Sequence, residues 1–219
     1  MSRGAKTTIR NAYGLSESNC LLTAEAPSRE MSSTTGYPAP GVTLRIVDPD
    51  TLQDVGAGEP GEIVYSAPCM MDGYFKDGEA TAKRLFRDGD GKAYDRTGDL
   101  GRLDDDGNLH ILGRVDERYR NDQGRTRYFF EIIGTVHSVD GLDGAYLVAH
   151  DGDVYIHYAG PEADPSAIRK LRERLIRDEA YRTGHFFLKR WDEMPTSGGR
   201  VRSYLLASHT KDAVQMDND

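Results

Sequence analysis

The sequence predicts an α+β protein, and three observations carry that prediction. Gly- and Pro-rich turns separate short strand-like runs through the first half of the chain. The composition then changes at Asp116, where an almost wholly polar stretch begins. Beyond it, strand-like runs flank one segment with apolar residues at helical spacing. With 219 residues, the chain has room for one large domain or two small ones with real cores.

Taken in order, the first motif is Asn11-Ala-Tyr-Gly-Leu-Ser-Glu17. Gly14 permits a sharp turn out of a strand and leaves Ser16 and Glu17 exposed after it. On residues alone, a Ser-Glu pair also reads as a helix cap or a plain turn. Gly36-Tyr-Pro-Ala-Pro-Gly41 is a turn, Val42–Val47 alternates apolar and polar as a half-buried strand does, and Glu62–Ser66 follows as a second strand after the Gly56–Gly61 turn. Gly73-Tyr74 closes this β-rich segment, and Glu79–Phe86 reads as a short helix.

The stretch from Tyr94 to Asp116 reads as strand, turn, strand. Asp104, Asp105, Asp106, Gly107 and Asn108 are turn formers, and Asp-Gly is a hairpin signal. Thr97-Gly98-Asp99 sets a carboxylate beside a glycine, where backbone can approach a ligand closely. Arg114 and Asp116 leave the second strand just after Gly113. By charge pattern alone this is either a polar hairpin with solvated charges or a cradle for a polyhydroxylated anion.

After Asp116, Glu117–Arg127 reads as a hinge with an exposed loop, or as a solvated linker. Ala145–Ala149 and Val154–Tyr158 form a hairpin about Asp151-Gly152-Asp153. Asp164 caps a helix that has Pro165 at its first position. Ile168, Leu171, Leu175 and Ile176 give that helix a single apolar stripe, and Phe186–Lys189 is a third strand. Near the end, Met194–Arg202 holds a Gly-Gly loop beside cations, which suits an anion or a flexible turn equally.

Composition excludes several classes. Hydrophobic content of 37% with 29% charged residues describes a folded globular chain, not a disordered tail. A net charge of −8 argues against nucleic acid as a partner. No apolar run is long enough to span a bilayer, and the N-terminus lacks a signal peptide's apolar core, so the expected location is cytoplasmic. The two cysteines, Cys20 and Cys69, form no pair in sequence and are expected to be buried free thiols. The six histidines show no metal-ligand spacing.

Tyr94-Asp-Arg-Thr-Gly-Asp-Leu100 followed by Gly113-Arg114-Val-Asp116 resembles the adenylate-forming superfamily, which contains acyl-CoA synthetases, peptide-synthetase adenylation domains and luciferases. The resemblance implies that Asp99 binds the ATP ribose, that Arg114 supports the same ligand and that Asp116 is the hinge between a large and a small domain. Tyr13-Gly-Leu-Ser-Glu17 resembles a second signature of that family. It implies Tyr13 near the adenine, Ser16 on a phosphate and Glu17 as a ligand of Mg²⁺. Arg200 stands where the family has a lysine that contacts the carboxylate substrate and the α-phosphate, and Arg and Lys are not interchangeable there. Phe129-Phe130 and Ile133 depart from the family's pattern after the hinge, where its loop serves thioester formation.

The implied organisation is residues 1–115 as the C-terminal, β-rich remnant of the large adenylating domain, carrying a remnant β-barrel subdomain, and residues 116–219 as the small α+β lid domain. The implied chemistry joins a carboxylic acid to ATP, giving an acyl-adenylate, while the departures after the hinge count against the family's second, thioester-forming step. ATP or AMP and Mg²⁺ are the expected cofactors. Nothing before Asn11 matches the family's lysine-bearing phosphate loop, so the expected partner is a protein carrying the N-terminal adenylating half. The alternative is an inactive remnant that binds an acyl or peptidyl carrier protein or regulates a complete relative. A decayed or truncated gene product is a third expectation.

Overall fold

The computed structural model describes residues 9–26, 33–162, 164–177, 182, 185–197, 200–201, 203–208, 210 and 213–216. The chain divides into two compact units, Met1–Val115 and Asp116–Asp219.

The first unit is almost all β. Strands β1 (Ala12–Leu15), β2 (Cys20–Ala24) and β3 (Tyr37–Pro38) form one antiparallel sheet. A second sheet holds β4 (Thr43–Val47), β5 (Gly61–Ser66), β6 (Leu85–Arg87), β7 (Ala93–Leu103) and β8 (Leu109–Arg114). In it β7 is central: β5 lies along one edge, while β6 and then β8 share the other. Neither sheet closes into a barrel among the described residues. Among the described residues apolar packing is divided between two small clusters, one around Ile46, Ile63 and Leu109, the other around Val47, Val64 and Tyr94.

The helix expected over 79–86 is α1, Gly78–Arg84. Asp77 caps it by accepting the Ala80 N–H at 2.9 Å. It ends sooner than its composition suggests because Leu85, Phe86 and Arg87 pair with Asp95, Tyr94 and Ala93 of β7.

The second unit is α+β. Its elements are β9 (Arg118–Arg120), β10 (Thr126–Tyr128), α2 (Phe130–His137), β11 (Tyr146–His150), β12 (Asp153–Ala159), α3 (Pro165–Arg177), β13 (Phe186–Trp191), β14 (Thr196–Ser197), β15 (Arg200–Val201), α4 (Ser203–Ala207) and β16 (Val214–Gln215). The main sheet has the order β11-β12-β13-β16. Strands β12 and β13 are parallel, so α3 serves as the crossover that a parallel pair requires. Val154 through Tyr158 are all buried, as expected of a strand covered on both faces. On α3, Leu171 and Leu175 are the buried residues of the expected stripe, with Ile168 and Ile176 packed beside them.

Two features depart from the sequence reading. Glu117–Arg127 is not a solvated linker: β9 and β10 form a hairpin across it that ends at Tyr128. The Asn121 side chain accepts the Gln123 and Arg125 N–H groups and so closes the turn, while Tyr119 is buried and stacks on Phe129. Phe129 and Phe130 then lead into α2, a helix whose short polar-flanked sequence gives little signal. Among the described residues no helix is long and apolar enough to cross a membrane.

Candidate functional site

The site grows from an irregularity in β7. Its pairing with β5 runs Tyr65↔Asp95 and Val64↔Arg96, then resumes at Glu62↔Leu100. While β5 advances from Val64 to Glu62, β7 advances from Arg96 to Leu100, so Thr97-Gly98-Asp99 arch out of the ladder as a bulge. Gly98 sits at φ +70°, a conformation that favours glycine, and a Cβ there would meet Arg114 Nη2 at 2.8 Å. The Thr97 hydroxyl donates to the Ile63 carbonyl at 2.7 Å and accepts the Asp99 N–H at 3.0 Å. Beneath it the buried Glu62 carboxylate accepts the Gly98 N–H at 3.1 Å and Arg96 Nε at 2.9 Å. The T-G-D sequence is thus a built device: a hydroxyl to tie the arch, a glycine to turn it and a carboxylate to present.

That carboxylate is held from both sides. Tyr13 donates its hydroxyl to Asp99 Oδ2 at 2.6 Å, and Arg114 Nη1 donates to Oδ1 at 2.6 Å. Arg114 lies directly across the β7–β8 ladder from Asp99. Its side chain is half exposed, whereas that of Asp99 is largely covered. Burial, and then the bond to Asp99, push the Tyr13 phenol well above its ordinary range, which keeps it a neutral donor. A carboxylate has about four acceptor positions, so a fixed Asp99 keeps capacity for further hydroxyl donors.

Glu17 stands in a second cluster. Its Oε1 accepts from Tyr74 Oη at 2.7 Å and from Arg84 Nη1 at 3.0 Å. The Tyr74 bond lowers the Glu17 pKa most, and Arg84 and Arg114 add to the effect, so Glu17 is held ionised. Arg84 is anchored in turn by Nε to Asp95 Oδ1 at 2.7 Å, and Tyr65 Oη donates to Asp95 Oδ2 at 2.8 Å. Asp95 has no exposed side-chain surface, and desolvation raises its pKa against the pull of Arg84 and Tyr65. The turn bearing Ser16 and Glu17 is fastened by the buried Ser18 hydroxyl, which accepts the Leu15 N–H at 3.1 Å and lies 2.7 Å from the Cys20 carbonyl. Ser16 itself is exposed.

Of the residues singled out from sequence, Tyr13, Asp99 and Arg114 touch one another, and Glu17 lies within the field of Arg114. Asp116 opens the second unit and Arg200 is in β15 of that unit. The Arg200 side chain lies outside the described residues. Sequence reasoning assigned no role to Glu62, Arg96, Tyr74, Arg84 or Asp95. The available signal was a charged residue inside an apolar strand: Glu62 directly before Ile63-Val-Tyr, and Asp95 between Tyr94 and the T-G-D motif.

Magnesium is commonly held by one or two carboxylates with phosphate oxygens and water completing its shell. Among the described residues no cluster of three or more His, Cys, Asp or Glu side chains forms a protein-only cage. A single ionised carboxylate, Glu17, fits the one-carboxylate arrangement, with the hydrogen bonds above falling on Oε1.

The cysteines are free thiols, as expected, but neither is buried. Cys20 and Cys69 are each partly exposed, and their Sγ atoms lie 2.8 Å apart. A separation of 49 residues hid the pairing, which β2 and the turn after β5 bring about.

Comparison with known proteins places this fold and motif set. The family described as AMP-binding enzyme matches residues 1–75. The chain is 32% identical over 212 residues to 4-coumarate–CoA ligase-like 1 of Arabidopsis thaliana, covering 90% of this chain and 38% of that protein. It is 37% identical over 110 residues to 4-coumarate–CoA ligase 2 of Oryza sativa subsp. japonica, covering 48% of this chain and 19% of that protein. Among solved structures, ATP-bound MatB from Rhodopseudomonas palustris superposes with a TM-score of 0.72 at 24% identity, over 93% of this chain and 41% of that one. The O-succinylbenzoate coenzyme A synthetase MenE from Bacillus subtilis, in complex with AMP, gives 0.67 at 24%, over 95% and 42%. The chain belongs to the adenylate-forming superfamily and matches only part of the length of its relatives. It spans 38% of the length of the Arabidopsis relative.

Proposed function

We propose that this chain supplies the ribose-binding and metal-side part of an adenylate-forming active site, with the phosphate loop and acid pocket contributed by sequence outside these residues or by a partner protein. The observation that carries the reading is the Tyr13–Asp99–Arg114 cluster, in which an acceptor carboxylate is fixed by a neutral donor and a cation on a purpose-built strand bulge. Asp99 accepts the two ribose hydroxyls of ATP or AMP. Arg114 holds Asp99 in place and supplies positive charge. Ser16, exposed at the turn, donates to a phosphate. Glu17 is the one protein carboxylate offered to Mg²⁺, which when bound offsets charge on the phosphates.

In the full reaction a substrate carboxylate oxygen attacks the α-phosphorus, the bond to the pyrophosphate oxygen breaks, and acyl-adenylate and pyrophosphate result. Asp116 is the hinge on which the second unit moves, and that unit is the small lid domain. Arg200 of the lid contributes charge to the α-phosphate in place of the family's lysine, with a planar fork where a compact ammonium is usual. The sheet around β7 is the counterpart of the family's small β-barrel subdomain. The acceptor for a second, thioester-forming step is coenzyme A or a carrier protein.

The test is calorimetric titration of ATP·Mg²⁺ into the purified chain, alone and in the presence of a protein carrying a phosphate loop from a related ligase. Tight binding only in the mixture supports a shared site. No binding in either case overturns this reading and favours a carrier-docking or regulatory module.

A further inference from the structure

The Cys20 and Cys69 sulfurs are 2.8 Å apart, inside the contact distance of two non-bonded sulfurs and about 0.8 Å from the bonding distance of 2.05 Å. Both residues are partly exposed, so a small oxidant can reach them. Their positions bear on Glu17. Cys20 opens β2 at the end of the turn that carries Ser16 and Glu17. Cys69 lies in the segment after β5 that leads to Tyr74, the residue whose hydroxyl holds Glu17. The same two segments are tied by one backbone bond, from the Met71 N–H to the Glu17 carbonyl at 3.0 Å.

We propose that Cys20 and Cys69 form a reversible dithiol–disulfide site, and that its oxidation fastens the Glu17 turn to the Tyr74 segment. With glutathione disulfide as the oxidant, one cysteine thiolate attacks a glutathione sulfur, and a glutathione thiolate leaves from the mixed disulfide's partner sulfur. The second cysteine then loses its proton and attacks the protein-bound sulfur of that mixed disulfide, releasing the second glutathione. The protein loses two electrons and two protons; one glutathione disulfide becomes two glutathiones. The contact with Cys69 raises the Cys20 pKa, so oxidation runs faster at alkaline pH, where thiolate is more abundant. The ring closed is long, and constraining a long loop stabilises the oxidised chain against unfolding. Formation of the bond does not depend on the nucleotide reading; its bearing on the phosphate side of the site does.

The experiment equilibrates the full chain in buffers of graded glutathione to glutathione-disulfide ratio, quenches with an alkylating agent and maps peptides by mass spectrometry. The expected result is loss of both alkylatable thiols together and a single cross-linked peptide pair containing Cys20 and Cys69. Cys20→Ser is expected to leave Cys69 as a glutathione adduct with no cross-link. In the oxidised chain, hydrogen exchange at the Met71 amide is expected to slow about tenfold. Two separate glutathione adducts on the wild-type chain, or thiols that stay free in the most oxidising buffer, would overturn the site. A cross-link that leaves Met71 exchange unchanged would overturn the fastening of the Glu17 turn. Because none of these readouts involves nucleotide, failure here is distinct from failure of the ligase reading.

Discussion

The two units are stabilised in opposite ways. The second is built about one large apolar cluster that joins α2, α3 and the main sheet, including Ile132, Ile156, Leu171 and Phe186, with a smaller one around Val148, Tyr155 and Leu206. Among its described residues the first has only small apolar clusters and places charge in its interior: Glu62 and Asp95 are buried, paired with Arg96 and Arg84. Buried ion pairs contribute little net stability compared with apolar packing, and removing one partner is costly because the other charge stays buried. The first unit therefore gives up apolar packing to fix the positions of carboxylates, which is what a ligand site needs. The second has the composition of a body that keeps its shape by itself.

The comparison can be broken most severely at Asp95. Asp95→Ala leaves the Arg84 guanidinium without its anchor and is expected to cost about 3–5 kcal/mol in the first unit. Urea titration followed by resonances of each unit separately checks this, and a loss below about 1 kcal/mol would place the stability of that unit elsewhere. Leu171→Ala is next, with an expected loss of about 3 kcal/mol confined to the second unit. If the first unit lost as much, the two would not be separate cooperative bodies.

Gly98→Ala sharpens the contrast from the site's side. A Cβ at φ +70° and 2.8 Å from Arg114 Nη2 forces either the backbone or Arg114 to move. The expected cost is about 1–3 kcal/mol, with the Asp99–Arg114 bond lost as judged by the Arg114 side-chain resonances. Retention of both the stability and that bond would show that the bulge needs no glycine.

The smallest effect concerns pH. Asp104, in the β7–β8 turn, is held down to about 2 from 3.8, chiefly by the Asn108 backbone N–H, with His110 and the Asn108 amide adding. A folded-state pKa below the unfolded one gives stability that is present above 3.8 and lost as pH falls toward about 2. Amide exchange at Asn108 is expected to quicken across that window, and Asp104→Ala should remove the dependence. An unchanged profile in the variant would assign the effect to other groups.

Much of the fold was legible because local rules decide it. The Asp-Gly turn, the apolar alternation of β4 and the stripe of α3 are periodic or chemical signals within a few residues. The β9–β10 hairpin and α2 were missed because their determinants are tertiary: Asn121 closing a turn, and Tyr119 stacked on Phe129. At the site, Tyr13, Glu17, Asp99 and Arg114 stood out as motif residues. Their supports did not, since Glu62, Tyr74, Arg84 and Asp95 act through contacts that only pairing of distant strands creates. Cys20 and Cys69 were invisible for the same reason.

The central claim is that Asp99 is a fixed acceptor for a nucleotide ribose. The direct measurement is a two-dimensional NMR titration of the full chain with AMP at millimolar concentration, repeated on Asp99→Ala with the second unit's resonances as the folding control. Saturable shifts at Gly98, Asp99 and Arg114 that vanish in the variant are the predicted result. Equal binding by the variant, or saturable shifts that bypass Gly98, Asp99 and Arg114, would contradict it.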